Sequence, residues 1–327
     1  MRKFLYSLEC LLRRQISRGT FLKVCLGWLL VLLTENNFLK MAFAEVAESG
    51  PRTKASITTL QDLVVATGPD PYKNTFAVIE ALGGMDKFVK KGSVVVVKPN
   101  IGWDRTPEQA ANTNPAVVAA LVELSYKAGA KRVNVFDVPC NDARRCYENS
   151  GIQQAAKDKG AQVYFADSWN VVKARFPYAS PMEGWTILRD AVVCDTLINV
   201  PVLKHHGLTG LTLSMKNLMG VCTGMRGLIH INIGEKLVDL TDFIKPELTV
   251  IDATRVLMRN GPTGGDLEDV VRRDTVFASP DPVLADAFAC QFVDRDPLSV
   301  TYLQQAAKRK LGQIDVSQAR IQTIKLS

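Results

Sequence analysis

The sequence is poor in the features that usually declare a mechanism. Among 327 residues there are three histidines and 7% aromatics. No Cys-x-x-Cys or His-Glu-x-x-His spacing occurs, and no tight acidic cluster, so a metal held by protein ligands alone has no recognisable motif. The P-loop and dinucleotide fingerprints are absent, and so is any serine or cysteine nucleophile motif. There is no internal repeat and no low-complexity segment. The apolar run Val24–Leu33 would make a helix of roughly 15 Å, half of the ~30 Å hydrocarbon layer, which argues against a permanent membrane span. A general excess of positive charge is missing too. The formal charge is +7, but residues 1–44 carry seven of the 40 Lys/Arg and two of the 33 Asp/Glu, leaving 33 basic against 31 acidic residues. A near-neutral body lacks the dense basic footprint that phosphate backbones require, so no nucleic-acid partner is expected.

What is present is the composition of a globular chain: 47% hydrophobic and 22% charged residues over a length that allows one large or two ordinary domains. That excludes a disordered chain, a collagen-like repeat and a disulfide-dense miniprotein. Residues 1–44 read as a signal peptide, with basic residues up to Lys23, the apolar run, and the small-x-small triplet Ala42-Phe43-Ala44. Ser17-Arg18-Gly19-Thr20-Phe21-Leu22-Lys23 resembles the twin-arginine export signal in a degenerate form, Gly19 standing where the second arginine belongs. The expectation is a periplasmic or otherwise exported protein. The alternatives are the general secretory route, and an uncleaved segment anchoring the chain to the membrane; either way membrane contact is confined to this segment and the export machinery.

Residues 45–60 read as a linker, and residues 61–327 as a single α/β domain. Val94 to Lys98, Arg132 to Val138, Gln162 to Phe165, Thr196 to Val200, Leu248 to Asp252 and Thr275 to Ala278 read as strands, with Ile321 to Leu326 as an edge strand. Helices are expected from Asn114-Pro115 through Tyr126, over Gln153–Lys159, Gly210–Met219, Lys236–Ile244, Pro282–Val293 and Pro297–Leu311. Strands alternating with amphipathic helices predict a mainly parallel sheet covered on both faces.

Such sheets bind ligands beyond the carboxyl ends of their strands. Polar residues stand at those ends: Lys98 and Asn100, then Asp137, then Lys204 and His206, then Asp252 and Asp281. In the expected 210–219 helix, Thr212 and Lys216 are four apart and share a face, with Asn217 beside them. A lysine inside an apolar segment is costly to bury unless an anion meets it. Lys98, Lys204 and Lys216 are therefore candidate binders of a small anionic molecule, with Asn100, Thr212, Asn217, Asp252 and Asp281 as further ligand-binding candidates. Lys204 and Lys216 join His206 as the catalytic set, His206 as a proton carrier because imidazole titrates near neutrality. Five cysteines follow residue 44, an odd number that leaves at least one unpaired; Cys140 and Cys146 are the candidate disulfide. Cys140, Cys146, Cys222 and His230 are the candidate metal ligands. Gly261-Pro262-Thr263-Gly264-Gly265 reads as a turn.

From about residue 60 to 310 the chain resembles the family known as domain of unknown function 362. The resemblance rests on Lys98-Pro99-Asn100, Thr113-Asn114-Pro115, Ser150-Gly151-Ile152, Asn199 to Gly207, Lys216 to Gly220 and Ile229-His230, completed by Asp252, Gly261-Pro262 and Asp281-Pro282. It implies an α/β fold and names no reaction. Many members carry a ferredoxin-like module with closely spaced cysteines, which this chain lacks; the cofactor stays open, an iron–sulfur cluster or a metal being the candidates. A more distant similarity to the amino-terminal domain of lactate-racemase-type enzymes implies anionic hydroxy-acid chemistry. Three readings follow: a protein that binds a small anion and moves a proton on it, a redox or metal accessory protein exported folded, and a non-catalytic periplasmic binding protein.

Overall fold

Three helices begin with the same two-residue signal. Asp70, Asn114 and Asp281 each precede a proline, and each side chain accepts one or two backbone N–H groups of the turn that follows. Proline at the first helical position has the right φ and no N–H to leave unpaired, while the capping oxygen satisfies the donors after it. The computed structural model describes residues 46–54, 56–166 and 170–327. In chain order its helices are α1 (Pro71–Ala81), α2 (Pro115–Lys127), α3 (Ala143–Asn149), α4 (Ile152–Asp158), α5 (Arg189–Val193), α6 (Ser214–Asn217), α7 (Ile233–Ile244), α8 (Pro282–Ala289) and α9 (Thr301–Lys308). The strands are β1 (Glu48–Ser49), β2 (Leu63–Thr67), β3 (Val94–Pro99), β4 (Arg132–Val135), β5 (Gln162–Val163), β6 (Val171–Ala174), β7 (Thr186–Leu188), β8 (Thr196–Val200), β9 (Val202–His206), β10 (Gly210–Thr212), β11 (Leu248–Leu257), β12 (Val270–Ser279) and β13 (Ile321–Lys325). The signal-segment reading falls outside the described residues. Among the described residues no helix is long and apolar enough to cross a membrane.

The main sheet has ten strands, ordered β13-β2-β12-β11-β8-β3-β4-β5, with β9 paired to β11 and β10 hairpinned onto β9. Every neighbour on the main path is parallel except β12, which runs antiparallel to both β2 and β11. Side chains alternate across the pleat. Val95, Val97, Ile198, Val200 and Val250 join one core with α1, α2 and α4, whereas Val96, Leu197, Ile251 and Phe277 join the other with α6 to α9. Helices thus cover both faces, as the sequence predicts for an α/β protein.

The segment read as a linker is irregular in backbone but tied to the body. β1 pairs with β6 in a small separate sheet. Arg52 is buried, donates to Glu247 at 3.0 Å and reaches the carbonyls of Ile244 and Cys194. A buried guanidinium so well matched is part of the domain, not of a spacer.

Two further expectations change. Residues 210–212 form β10, and only Ser214–Asn217 is α-helical before a 3-10 turn over Leu218–Val221. Thr212 and Lys216 therefore do not share a helix face. Because β12 is antiparallel, its carboxyl end lies with the amino end of β11, Thr249 pairing with Ser279. Asp281, two residues past Ser279, consequently lies beyond the amino end of β11 and not past a carboxyl end of the parallel strands. It caps α8 through the N–H groups of Val283 and Leu284 and accepts Gln313 N–H at 2.7 Å. Asp281→Ala is expected to cost about 1–2 kcal/mol and to leave anion binding unchanged; chemical denaturation and calorimetry on the same variant check both.

Candidate functional site

Three stretches meet at the carboxyl ends of β3, β4 and β8. Lys98 is the last charged residue of β3, on the same face as Val96, and pairs in register with Asn199 of β8. Asp137 follows β4. Pro201 ends β8, and the chain resumes as β9, where alternation puts Lys204 and His206 on one face and His205 on the other. Across the hairpin Thr212 sits opposite Lys204, and Gly210 opposite His206. The start of α6 is held from outside: the Asp286 carboxylate of α8 accepts Ser214 N–H at 2.7 Å and Met215 N–H at 3.0 Å. Burial pushes the Asp286 carboxyl up to about 8. This anchor fixes the helix that carries Lys216 and Asn217.

Lys98, Asp137, Lys204, His206, Thr212, Lys216 and Asn217 line a cavity of about 420 Å³ together with Trp103, Val138, Cys140, Met219, Arg226, His230 and the 261–263 loop. The loop expected to be a plain turn is thus part of the wall. Its Gly261 N–H donates to His205 Nδ1 at 3.1 Å and its carbonyl accepts Gly207 N–H. Gln109 and Arg105 donate to the carbonyls of Gly265 and Gly264, which ties the 100–112 loop to the same rim.

The lysines differ in what surrounds them. Lys98 is fully buried, forms an ion pair with Asp137 at 2.8 Å, and donates to Pro99 O at 2.9 Å and Asn217 Oδ1 at 3.1 Å. Asp137 in turn accepts the N–H groups of Ile101 and Val138. Lys204, 1% exposed, donates to Asn100 Oδ1 at 3.2 Å and Ala111 O at 2.5 Å and meets no carboxylate. Lys216, 8% exposed, has among the described residues only Met219 Sδ as a partner, at 3.8 Å. Burial, followed by the charge of Lys216, pulls Lys204 down to about 7; burial pulls Lys216 down to about 8. Arg226 donates to the carbonyls of Val138 and Pro139 and to Cys140 Sγ, again with no carboxylate. Among the described residues Asp137 is the one acidic residue in the cavity wall, and Lys98 holds it.

Asn100 and Asn217 line the cavity, but their amides serve the lysines. Asn217 Oδ1 accepts Lys98 Nζ and Asn100 Nδ2, while its Nδ2 donates to Asn199 Oδ1 and Lys98 O. They position cations and do not reach for a ligand. Thr212 is different: its hydroxyl is buried in the wall without any hydrogen-bond partner. Asp252 is not in the wall. Its carboxylate accepts the N–H groups of Asn114 and Thr254 and the Thr254 hydroxyl, fixing the entrance of α2 to β11.

His206 does not fit the role of a titrating proton carrier. Its Nδ1 accepts Leu208 N–H at 3.1 Å and Thr209 N–H at 3.4 Å, so the ring proton is on Nε2. Burial, then Lys216, pushes its pKa down to about 3. At neutral pH it is an uncharged donor, stacked on His230 at 5.8 Å between ring centres.

The candidate metal set does not assemble. Among the described residues no three His, Cys, Asp or Glu side chains gather as metal ligands. Cys146 belongs to the core on one face of the sheet and Cys222 to the core on the other. Burial pushes these thiols up to about 11 and about 12, which disfavours the thiolate a metal requires. Cys140 and Cys146 are free, the first exposed and the second buried on α3, so the expected disulfide is absent. Sequence reasoning left out Arg226, Trp103 and the 261–263 loop from the site. Nothing local marks Arg226, since its role comes from carbonyls 87 and 88 residues away.

A family model described as domain of unknown function (DUF362) matches residues 95–291, a span that includes every residue of the cavity wall. The thylakoid-associated protein sll1697 of Synechocystis is 31% identical over 247 residues, covering 72% of this chain and 73% of its own. Among solved structures, the lactate racemase apoprotein of Thermoanaerobacterium thermosaccharolyticum is similar with a TM-score of 0.46 and 14% identity, over 76% of this chain and 62% of that one. A Thermotoga maritima protein follows with a TM-score of 0.43 and 12% identity, over 70% of this chain and 60% of that one.

Proposed function

The chain belongs to the DUF362 family, and we propose that its cavity binds a small anionic molecule. The observation that carries this reading is the burial of Lys216 in one cavity with Lys204 and Arg226, where among the described residues no carboxylate pairs with any of the three. Taking an ammonium out of water costs several kcal/mol unless a counter-charge replaces the lost hydration. An arriving carboxylate or phosphate would supply it, with the unpartnered Thr212 hydroxyl and Arg226 completing the shell. The volume suits a small metabolite. Trp103, Val138 and Met219 give part of the wall an apolar character, which favours an anion with a short carbon skeleton over a bare inorganic ion.

Binding to the folded state alone raises the melting temperature by mass action. Millimolar phosphate, oxalate, lactate, pyruvate or glyoxylate should therefore raise it, at least one of them by a few degrees, whereas lactamide at the same ionic strength should not. Differential scanning fluorimetry of the full chain checks this. No response to any of the anions would remove the reading.

A further inference from the structure

The hydrogen-bond partners of the three buried lysines show how many N–H groups each is required to supply. An ammonium has three N–H groups; a neutral amine has two and a lone pair. Lys98 Nζ meets three oxygens, one of them from a carboxylate, and is an ammonium with every proton used. Lys204 Nζ meets two oxygens. Ala111 O is a carbonyl, and Asn100 Oδ1 is fixed as an acceptor because the same amide donates its N–H to Asn217 Oδ1. Among the described residues Lys204 Nζ has no further hydrogen-bond partner and no carboxylate in ion-pair range, which leaves room for a lone pair in the third position. Lys216 has a single weak sulfur contact and keeps its protons for whatever enters the cavity.

Resting on the anion-binding reading, we propose that Lys204 is the covalent amine of the cavity, forming an imine with the carbonyl carbon of a small oxo acid whose carboxylate is held by Lys216 and Arg226. The lone pair of neutral Lys204 forms the N–C bond while the carbonyl π pair moves to oxygen, which takes a proton. The nitrogen then loses a proton, the hydroxyl takes one and leaves as water, the nitrogen pair closes the C=N bond, and the resulting iminium gives up its remaining N–H proton. The sum is carbonyl plus amine giving imine plus one water, with no oxidant or reductant. Thr212, directly opposite Lys204 in the hairpin register and lacking any protein partner, is placed to hydrogen-bond the carbonyl oxygen. A desolvated amine beside other cations is the usual way to keep a lysine nucleophilic. The downward shifts of Lys204 to about 7 and Lys216 to about 8 agree with one acting as amine and the other as ammonium.

The test is reductive trapping on the full chain with glyoxylate and sodium cyanoborohydride near pH 7, followed by peptide mass mapping over time. At that pH the neutral fraction of Lys204 exceeds that of an exposed lysine by about 10³. Lys204 should therefore gain a carboxymethyl group at least about tenfold faster than any other lysine. Labelling of Lys204 no faster than exposed lysines, or of Lys216 in its place, would overturn the imine assignment. If glyoxylate and pyruvate still raised the melting temperature in that case, the anion-binding reading would stand without it; if no anion did, both would fall.

Discussion

Gly220→Ala is expected to cost about 3–5 kcal/mol of stability and to abolish the response to anions. The glycine is not required by its backbone angles; it is required by what lies against it. A Cβ there would overlap Asp137 Oδ1 and Lys98 Nζ and stand 2.8 Å from Lys98 Cε. Those atoms form an ion pair 2.8 Å long whose side chains are 0% and 3% exposed. Neither can retreat cheaply. The Asp137 carboxylate is held by Ile101 N–H at 2.7 Å and Val138 N–H at 2.9 Å, and Lys98 by Pro99 O and Asn217 Oδ1. The glycine backbone is pinned as well, its carbonyl accepting Val138 N–H at 3.0 Å. Separating a buried pair leaves two uncompensated charges, the most expensive single defect this site can suffer. Guanidinium unfolding of the variant reads the loss. A value under about 1 kcal/mol would mean that the pair moves aside freely and does not organise the cavity.

The opposite sign is expected for Lys216→Met. Methionine has a similar length and no charge, and among the described residues the one hydrogen-bond partner of Lys216 Nζ is a thioether, so no strong acceptor is left unpaired. Burial lowers Lys216 from 10.5 to about 8 in the folded protein. Below pH 8 the lysine is protonated in both states and the folded state bears the full desolvation cost. Between pH 8 and 10.5 the folded state releases its proton first, binds fewer protons than the unfolded state, and gains relative stability as pH rises. The variant should therefore be more stable than the parent by about 1–2 kcal/mol at pH 7, with the difference shrinking to nothing by about pH 10.5. The same substitution should remove the stabilisation by oxalate or phosphate. Parallel pH-dependent melts of the two proteins check this; a destabilised variant at pH 7 would show that Lys216 has a counter-charge in the free protein. A residue whose removal improves folding while ending ligand response is held for function at the expense of stability.

Much of the scaffold was legible because its signals are local. Asn114-Pro115 marks the start of α2, and Pro201 marks the end of β8, from two or three neighbouring residues. The run Val94–Lys98 reads as a buried strand because β-branched residues fill both faces of the pleat. The misread segments depend on distant partners. Residues 210–219 look helical on their own, but hydrogen bonds to β9 make the first three a strand, and Asp286, some 70 residues later, starts the helix at Ser214. β11 and β12 run well beyond their apolar centres because each pairs with the other along its polar extension.

The candidate site divides the same way. The amino-acid sequence by itself determined the α/β class, the cluster of Lys98, Lys204 and Lys216 near strand ends, and the absence of any metal or nucleotide motif. It also tied Asp281 to a strand end without revealing which end of the sheet that was, since strand direction is a property of pairing. Only the tertiary structure decided that Asp137 pairs with Lys98, that Asn100 and Ala111 accept from Lys204, and that among the described residues no carboxylate pairs with Lys216. The physical reason is desolvation. A lysine in an unfolded chain is hydrated whatever its neighbours in sequence, and the cost of stripping that water depends on the atoms folding brings within a few ångström. Those atoms come from residues tens of positions away, so the charge state of each lysine, and with it the chemistry of the cavity, is written in the packing.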